Sequence, residues 1–197
     1  RLKQQLTEMG WRGRAKDPRI LLFAERIETL KTLREKLLRD FQLREEAITF
    51  FHGGLTDTEQ QDAVEDFGKE DSTVRLFLAS DAGSQGVNLH YYCNHLINYD
   101  IPWSIITLEQ RNGRIDRFAQ HHTPYIFYLV AETDLPDIKT DLHIIDRLTE
   151  KEEEVYRTLG DAGSAIEVDG GFSQRQVEVR AAQLRWRAGA RGYQGLL

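Results

Sequence analysis

The twelve residues Glu109–Gln120 read E-Q-R-N-G-R-I-D-R-F-A-Q. On a helix, the three-residue spacing of Arg111, Arg114 and Arg117 would bring three guanidinium groups to a similar side. Like charges so placed repel until an anion meets them. The planar guanidinium stays protonated and suits paired hydrogen bonds to phosphate oxygens. Gly113 beside them lets a backbone or ligand approach closely. The bland alternative is a surface helix on which Glu109 and Asp116 neutralise the arginines. A second constellation, Ala79–Leu89, reads A-S-D-A-G-S-Q-G-V-N-L and follows directly on the apolar run Val74–Leu78. A strand that ends in small and polar residues frees backbone N–H groups for phosphates, with Ser80, Asp81, Ser84, Gln85 and Asn88 as side-chain partners. A plain strand-to-helix turn reads the same way, so the weight rests on finding both constellations in one chain.

Such loops need a scaffold. Short apolar runs at Ile20–Phe23, Ala47–Phe51, Val74–Ala79, His95–Tyr99 and Tyr125–Val130 suit strands buried on both faces. Between the first three lie segments of helical period. Ile27, Leu30, Leu33, Leu37 and Leu38 form one apolar stripe; Ala63, Val64 and Phe67 belong to a second helix, capped by Thr56 or Asp57 and stopped at Gly68. Strands alternating with helices predict an α/β fold with a parallel sheet flanked by helices, whose chemistry sits in loops at the carboxyl ends of the strands. Residues 137–159 are Glu-rich with helical spacing and read as a helix on the domain edge. Gly160, Gly163, Gly170 and Gly171 then break the chain, and Gln174–Arg187 regains a helical character. Trp103, after Pro102, either braces the loop leading to the arginines or lines an interlobe cleft, with packing the expectation, and Cys93 is expected to be a small buried hydrophobe.

With 197 residues, 40% hydrophobic and 29% charged, the chain is too apolar for a disordered tail and too interrupted by charge to cross a membrane as a helix. One cysteine closes no intramolecular disulfide, and no secretory signal is legible, so a cytoplasmic setting is expected. The chain opens on Arg1 rather than Met, and a longer parent protein is expected. The net charge of −6 is unevenly spread: residues 1–19 and 173–197 each carry +4, leaving −14 on the body. An acidic total therefore does not exclude nucleic acid, because only the face that meets phosphate needs to be positive. The six histidines show no metal-ligand spacing, and no metal site is expected.

Taken together, the motifs resemble the second RecA-like lobe of superfamily 2 helicases and translocases. Ile20-Leu-Leu-Phe-Ala-Glu-Arg is similar to motif IV and Phe51-His-Gly-Gly-Leu to motif IVa. Ala79–Leu89 resembles motif V, Ile97-Asn-Tyr-Asp-Ile-Pro-Trp the segment after it, and Glu109–Gln120 motif VI. The likeness covers residues 18–130 in order. The Gly-Val-Asn-Leu ending of motif V and the Arg-Phe-Ala-Gln ending of motif VI resemble the Swi/Snf-like branch, whose members are typically double-stranded DNA translocases. The Gln-Arg-Asn-Gly-Arg-Ile-Asp-Arg core looks closer to the bacterial members of that branch.

The resemblance implies a RecA-like (P-loop NTPase-type) fold and a division into four parts. Residues 1–17 would be a basic interlobe linker, 18–135 the lobe, 136–160 an acidic helical extension, and 161–197 a linker with a basic C-terminal element. It implies that Arg114 and Arg117 are arginine fingers for the γ-phosphate of ATP. Gln110, Arg111, Gly86 and Asn88 would lie at the nucleotide, and Ser80, His52 and Gly53 on the DNA backbone. Neither a G-x-x-x-x-G-K-[ST] loop nor a D-E-x-H box is present. The phosphate cradle and the Mg2+ ligands are therefore expected on a first lobe of the same polypeptide, and 1–197 alone is expected to hydrolyse no ATP. Two other readings stand beside this one: a lobe of a strand-separating helicase acting on RNA or single-stranded DNA, and a non-catalytic RecA-like scaffold.

Overall fold

The computed structural model describes residues 1–81, 89–117, 120–131 and 180–184, together with Ile144 and Arg147. Six parallel strands form one sheet: β1 (Ile20–Phe23), β2 (Ile48–Phe51), β3 (Leu76–Ala79), β4 (His95–Asn98), β5 (Tyr125–Ala131) and β6 (Arg180–Leu184). The spatial order is β2-β3-β1-β4-β5-β6. The helices are α1 (Leu2–Glu8), α2 (Ile27–Phe41), α3 (Asp57–Gly68) and α4 (Ile105–Asn112).

The first five strands fall where the apolar runs predict them, because side chains on both faces of each strand are enclosed. On one face Ile20 and Leu22 of β1 and Leu76 and Leu78 of β3 pack with Leu30, Leu33 and Leu37 of α2. On the other, Leu21 and Phe23 of β1 and Phe77 and Ala79 of β3 pack with Phe67 of α3 and Ile115. Alternate residues therefore enter different cores, which is why the runs are continuously apolar rather than alternating. Thr56 caps α3 in a reciprocal box: its Oγ accepts the Glu59 N–H, and the Glu59 carboxylate accepts the Thr56 N–H at 2.8 Å. At the far end of α3, a Cβ on Gly68 would lie 2.6 Å from the Tyr92 ring, so this helix end needs a residue without a side chain.

One expectation changes and one gains detail. Residues 1–17 pack on the lobe: Leu6 and Trp11 are fully buried beside α2, and the Trp11 indole N–H donates to the Pro18 carbonyl at 3.0 Å. Within Gln174–Arg187, where helical character was expected, Arg180–Leu184 is extended and pairs in parallel with Phe127–Ala131. The edge of β5 presents a row of unpaired N–H and C=O groups, and satisfying them outweighs a weak helical periodicity. The 137–159 helix reading lies outside the described residues except at Ile144 and Arg147, both helical. No helix among the described residues is long and apolar enough to cross a membrane.

Candidate functional site

Register aligns the carboxyl ends of the strands. Phe23 of β1 is level with Ala79 of β3 and Asn98 of β4, and Phe51 of β2 is level with Ala79. The chain reverses its direction of progress across the sheet at β1, which lies between β3 and β4, and such a switch point opens a crevice beyond the strand ends. The segments leaving β1, β3 and β4 all meet there.

Arg111, in the last turn of α4, fills this junction. Its Nε and Nη2 donate to the two carboxylate oxygens of Asp81, at 2.6 and 2.8 Å. Nη2 also reaches Asp100 Oδ1 at 3.1 Å, and Nη1 donates to the Asp100 carbonyl at 2.8 Å. The guanidinium lies 5.5 Å from the centre of the Phe23 ring. Burial opposes the charge, but the Asp81 and Asp100 carboxylates more than offset it and hold Arg111 above its ordinary pKa. Asp100 also receives the Glu25 backbone N–H at 2.8 Å, which ties the segment after β1 to the same cluster.

The resemblance puts Arg111 at the nucleotide; the structure shows it engaged with the loops. Its side chain is only 1% exposed and its donors are committed to two carboxylates, so it braces the loops instead of presenting charge to a ligand. The reason is local: α4 ends at Asn112, and Gly113 to Arg117 continue as turns. The three arginines therefore do not share one helix face. Arg114 is half-buried and Arg117 exposed on this turn. Burial and then the neighbouring charge of Arg117 push Arg114 below its ordinary pKa, so the two guanidinium groups feel one another.

Asn112 is held on both sides. Its side-chain amide donates to the Tyr128 hydroxyl of β5 at 2.7 Å, and its oxygen accepts from Asn98 at 3.3 Å. Gln110 is exposed on α4. His52 follows β2, half-buried, and its Nδ1 accepts the Gly54 N–H at 3.1 Å; Gly53 is exposed beside it. Ser80 follows β3 as expected, yet its hydroxyl is enclosed at 2% exposure without a hydrogen-bond partner among the described residues. Gly86 and Asn88 lie outside the described residues. Trp103, expected to pack, is 75% exposed next to Ile106 at 62%. Pro102 and Ile101 take the buried positions of that turn instead.

Residues 2–119 match the family described as the helicase conserved C-terminal domain. The chain belongs to that family. Among the relatives of this helicase C-terminal domain is a Bacillus subtilis (strain 168) protein described as an uncharacterized ATP-dependent helicase, YqhH. It is 36% identical over 99 residues, covering 49% of this chain and 17% of that protein. The RNA polymerase-associated protein RapA of Vibrio parahaemolyticus serotype O3:K6 (strain RIMD 2210633) is 33% identical over 113 residues, covering 55% of this chain and 11% of that protein. The helicase domain thus spans less than a fifth of either relative. Among solved structures, the C-terminal part of the Fun30 ATPase domain aligns with a TM-score of 0.55 at 19% identity, covering 78% of this chain and 53% of that one. Domain 2 of the DEAD-box helicase Mss116p, bound to an RNA duplex, aligns at 0.50 and 20% identity, covering 65% and 46%. These structures bear out the RecA-like fold. The family and its bacterial relatives bear out the resemblance to a helicase C-terminal lobe of Swi/Snf-like kind.

Sequence reasoning found the arginine segment and the motif V loop but missed Asp100, Gln120 and the Asn98–Asn112–Tyr128 chain. One signal was available. Asp81 and Asp100 each follow shortly after a strand end, and two carboxylates gathered at a buried junction require a cation between them.

Proposed function

We propose that this domain is the second motor lobe of an ATP-dependent, double-stranded DNA translocase. In this reading Arg114 and Arg117 act as arginine fingers on ATP held by a first lobe of the same polypeptide. The observation that carries the reading is the pairing of these two arginines. Arg114 is half-buried and within electrostatic reach of the exposed Arg117, and both sit on a turn braced from behind by Arg111. Two cations on one turn can meet the same multiply charged anion. Phosphoryl transfer spreads negative charge over the γ-oxygens, and an arginine finger meeting that charge is worth about 10³–10⁵ in rate.

Gln110, exposed one residue before the braced Arg111, would orient the fingers. Gly86 and Asn88 of motif V would approach the nucleotide. His52 and Gly53, at the end of β2, would contact the DNA backbone, where phosphate contacts grip without reading sequence. ATP binds with Mg2+, whose ligands would come from the first lobe. Asp81 and Asp100 are already engaged by Arg111, and no group of three potential ligands gathers among the described residues.

The test is ATP turnover by the full-length polypeptide with blunt duplex DNA, single-stranded DNA or duplex RNA. Stimulation by duplex DNA, lost in Arg117→Ala, is expected. Stimulation by RNA or single strands alone would replace the substrate with that of a strand-separating helicase. Turnover indifferent to Arg117→Ala would overturn the arginine-finger reading, and turnover by purified 1–197 would overturn the need for a first lobe.

A further inference from the structure

The turn that carries Arg117 is closed by one buried side chain. Gln120 is 5% exposed, and its amide nitrogen lies within hydrogen-bond distance of three backbone carbonyls: His90 at 3.0 Å, Cys93 at 3.1 Å and Ile115 at 3.2 Å. Its amide oxygen accepts the His122 N–H at 3.1 Å, and its own backbone N–H donates to the Arg117 carbonyl at 3.1 Å. Residues 90 and 93 belong to the segment that leaves motif V, whereas Ile115 and Arg117 belong to motif VI. Ile115 is fully buried in the core face that contains Leu89 and Cys93, so the near end of the turn is anchored by packing. Its far end is anchored by Gln120.

We infer that Gln120 is a positioning residue for Arg117, joining the exit of motif V to the arginine turn so that the guanidinium is held in place before ATP arrives. Other side chains cannot take over this role. A glutamate would set a carboxylate against three carbonyl oxygens, and a methionine would fill the space but leave those carbonyls without their donor. A buried amide that serves two segments at once fixes their relative position, and a displacement of about 1 Å at a reacting group can cost about 10²-fold in rate. The inference rests on the proposed role of Arg117.

The experiment uses the full-length polypeptide with saturating duplex DNA and compares Gln120→Met, Arg117→Ala and the double variant. Gln120→Met is expected to lower kcat by about 10²-fold while KM for ATP changes less than about twofold, and to add almost nothing in the Arg117→Ala background. Gln120→Asn, which keeps a donor on a shorter stem, should recover part of kcat; if Gln120→Met fails to fold by circular dichroism, Gln120→Asn carries the same comparison. A folded Gln120 variant with unchanged kcat, or losses that multiply with those of Arg117→Ala, would overturn the inference while leaving Arg117 a finger. If Arg117→Ala itself leaves kcat intact, the finger reading falls and the positioning role with it.

Discussion

Arg111 and Asp81 are joined by two parallel hydrogen bonds, Nε to Oδ1 at 2.6 Å and Nη2 to Oδ2 at 2.8 Å, across thirty positions of sequence. This fork links the motif V loop to the last turn of α4. Asp100 extends the link to the segment after β1 through the Glu25 N–H. The motifs around the crevice are therefore mechanically connected through a single guanidinium.

Arg111→Ala should consequently unfold the chain at lower urea. Removing one partner from a buried ion pair costs about 3–5 kcal/mol, and the low end applies because Asp81 and Asp100 keep 28% and 35% of their side-chain surface exposed. Arg111→Lys should rescue little, since an ammonium cannot donate in a fork to Asp81 while reaching the Asp100 carbonyl. A urea midpoint unchanged in Arg111→Ala would show that the cluster braces nothing.

Arg114→Ala and Arg117→Ala should behave oppositely. Each leaves the junction of Arg111 with Asp81 and Asp100 intact, so the urea midpoint should shift far less than in Arg111→Ala, while ATP turnover of the full-length polypeptide falls by about 10³-fold or more. Measuring urea midpoint and kcat on the same preparations separates the two classes. A variant that loses both in proportion would belong with Arg111.

The contrast among the three arginines marks the limit of what the sequence conveys. The five apolar runs located five strands because double-sided burial leaves an unbroken run. Thr56 or Asp57 located the start of α3 because capping is local chemistry, and the structure assigns the cap to Thr56 through its reciprocal box with Glu59. Arg111, Arg114 and Arg117 look equivalent at a spacing of three. They diverge because α4 ends at Asn112 and because Asp81 and Asp100, distant in sequence, converge only once β3, β1 and β4 are adjacent. Trp103 escaped for a related reason: its size suggests a core residue, yet Ile101 and Pro102 take the buried positions of that turn, and nothing local to the sequence records which side chains of the turn face inward.

Stability should fall with mild acidification. His90 is held below its ordinary value of 6.5 by burial and then by the charge of Arg117, and burial alone lowers His95. Above about pH 6.5 both rings are neutral folded and unfolded, and the full stability is present. Below it the unfolded chain takes up protons that the folded one resists, so stability drops until the lowered folded values are passed. Carboxylates contribute too, so the informative quantity is a difference. The melting temperature should drop less between pH 7.5 and 5.5 in His90→Phe, which keeps a ring packed against Tyr91, than in the parent chain. Equal drops would remove His90 from the account.

Cys93 offers a reporter of opening of the lobe. Its thiol is buried between Leu89 and the sheet, Sγ donates to the Leu89 carbonyl at 3.7 Å, and burial pushes its pKa from 9.0 up to about 12 despite the opposing charge of Arg19. The thiolate is the reactive form, so burial suppresses reaction both by keeping the thiol protonated and by denying access. Alkylation at pH 8 should therefore be very slow in the native chain and rapid once urea exposes the thiol. Its residual native rate should track the unfolding equilibrium and rise in Arg111→Ala, which weakens the junction at one end of this core face, but not in Arg114→Ala, which leaves the junction intact. Labelling of the native chain at the rate of a free thiol would mean that the segment from Leu89 to Cys93 does not stay closed over the sheet.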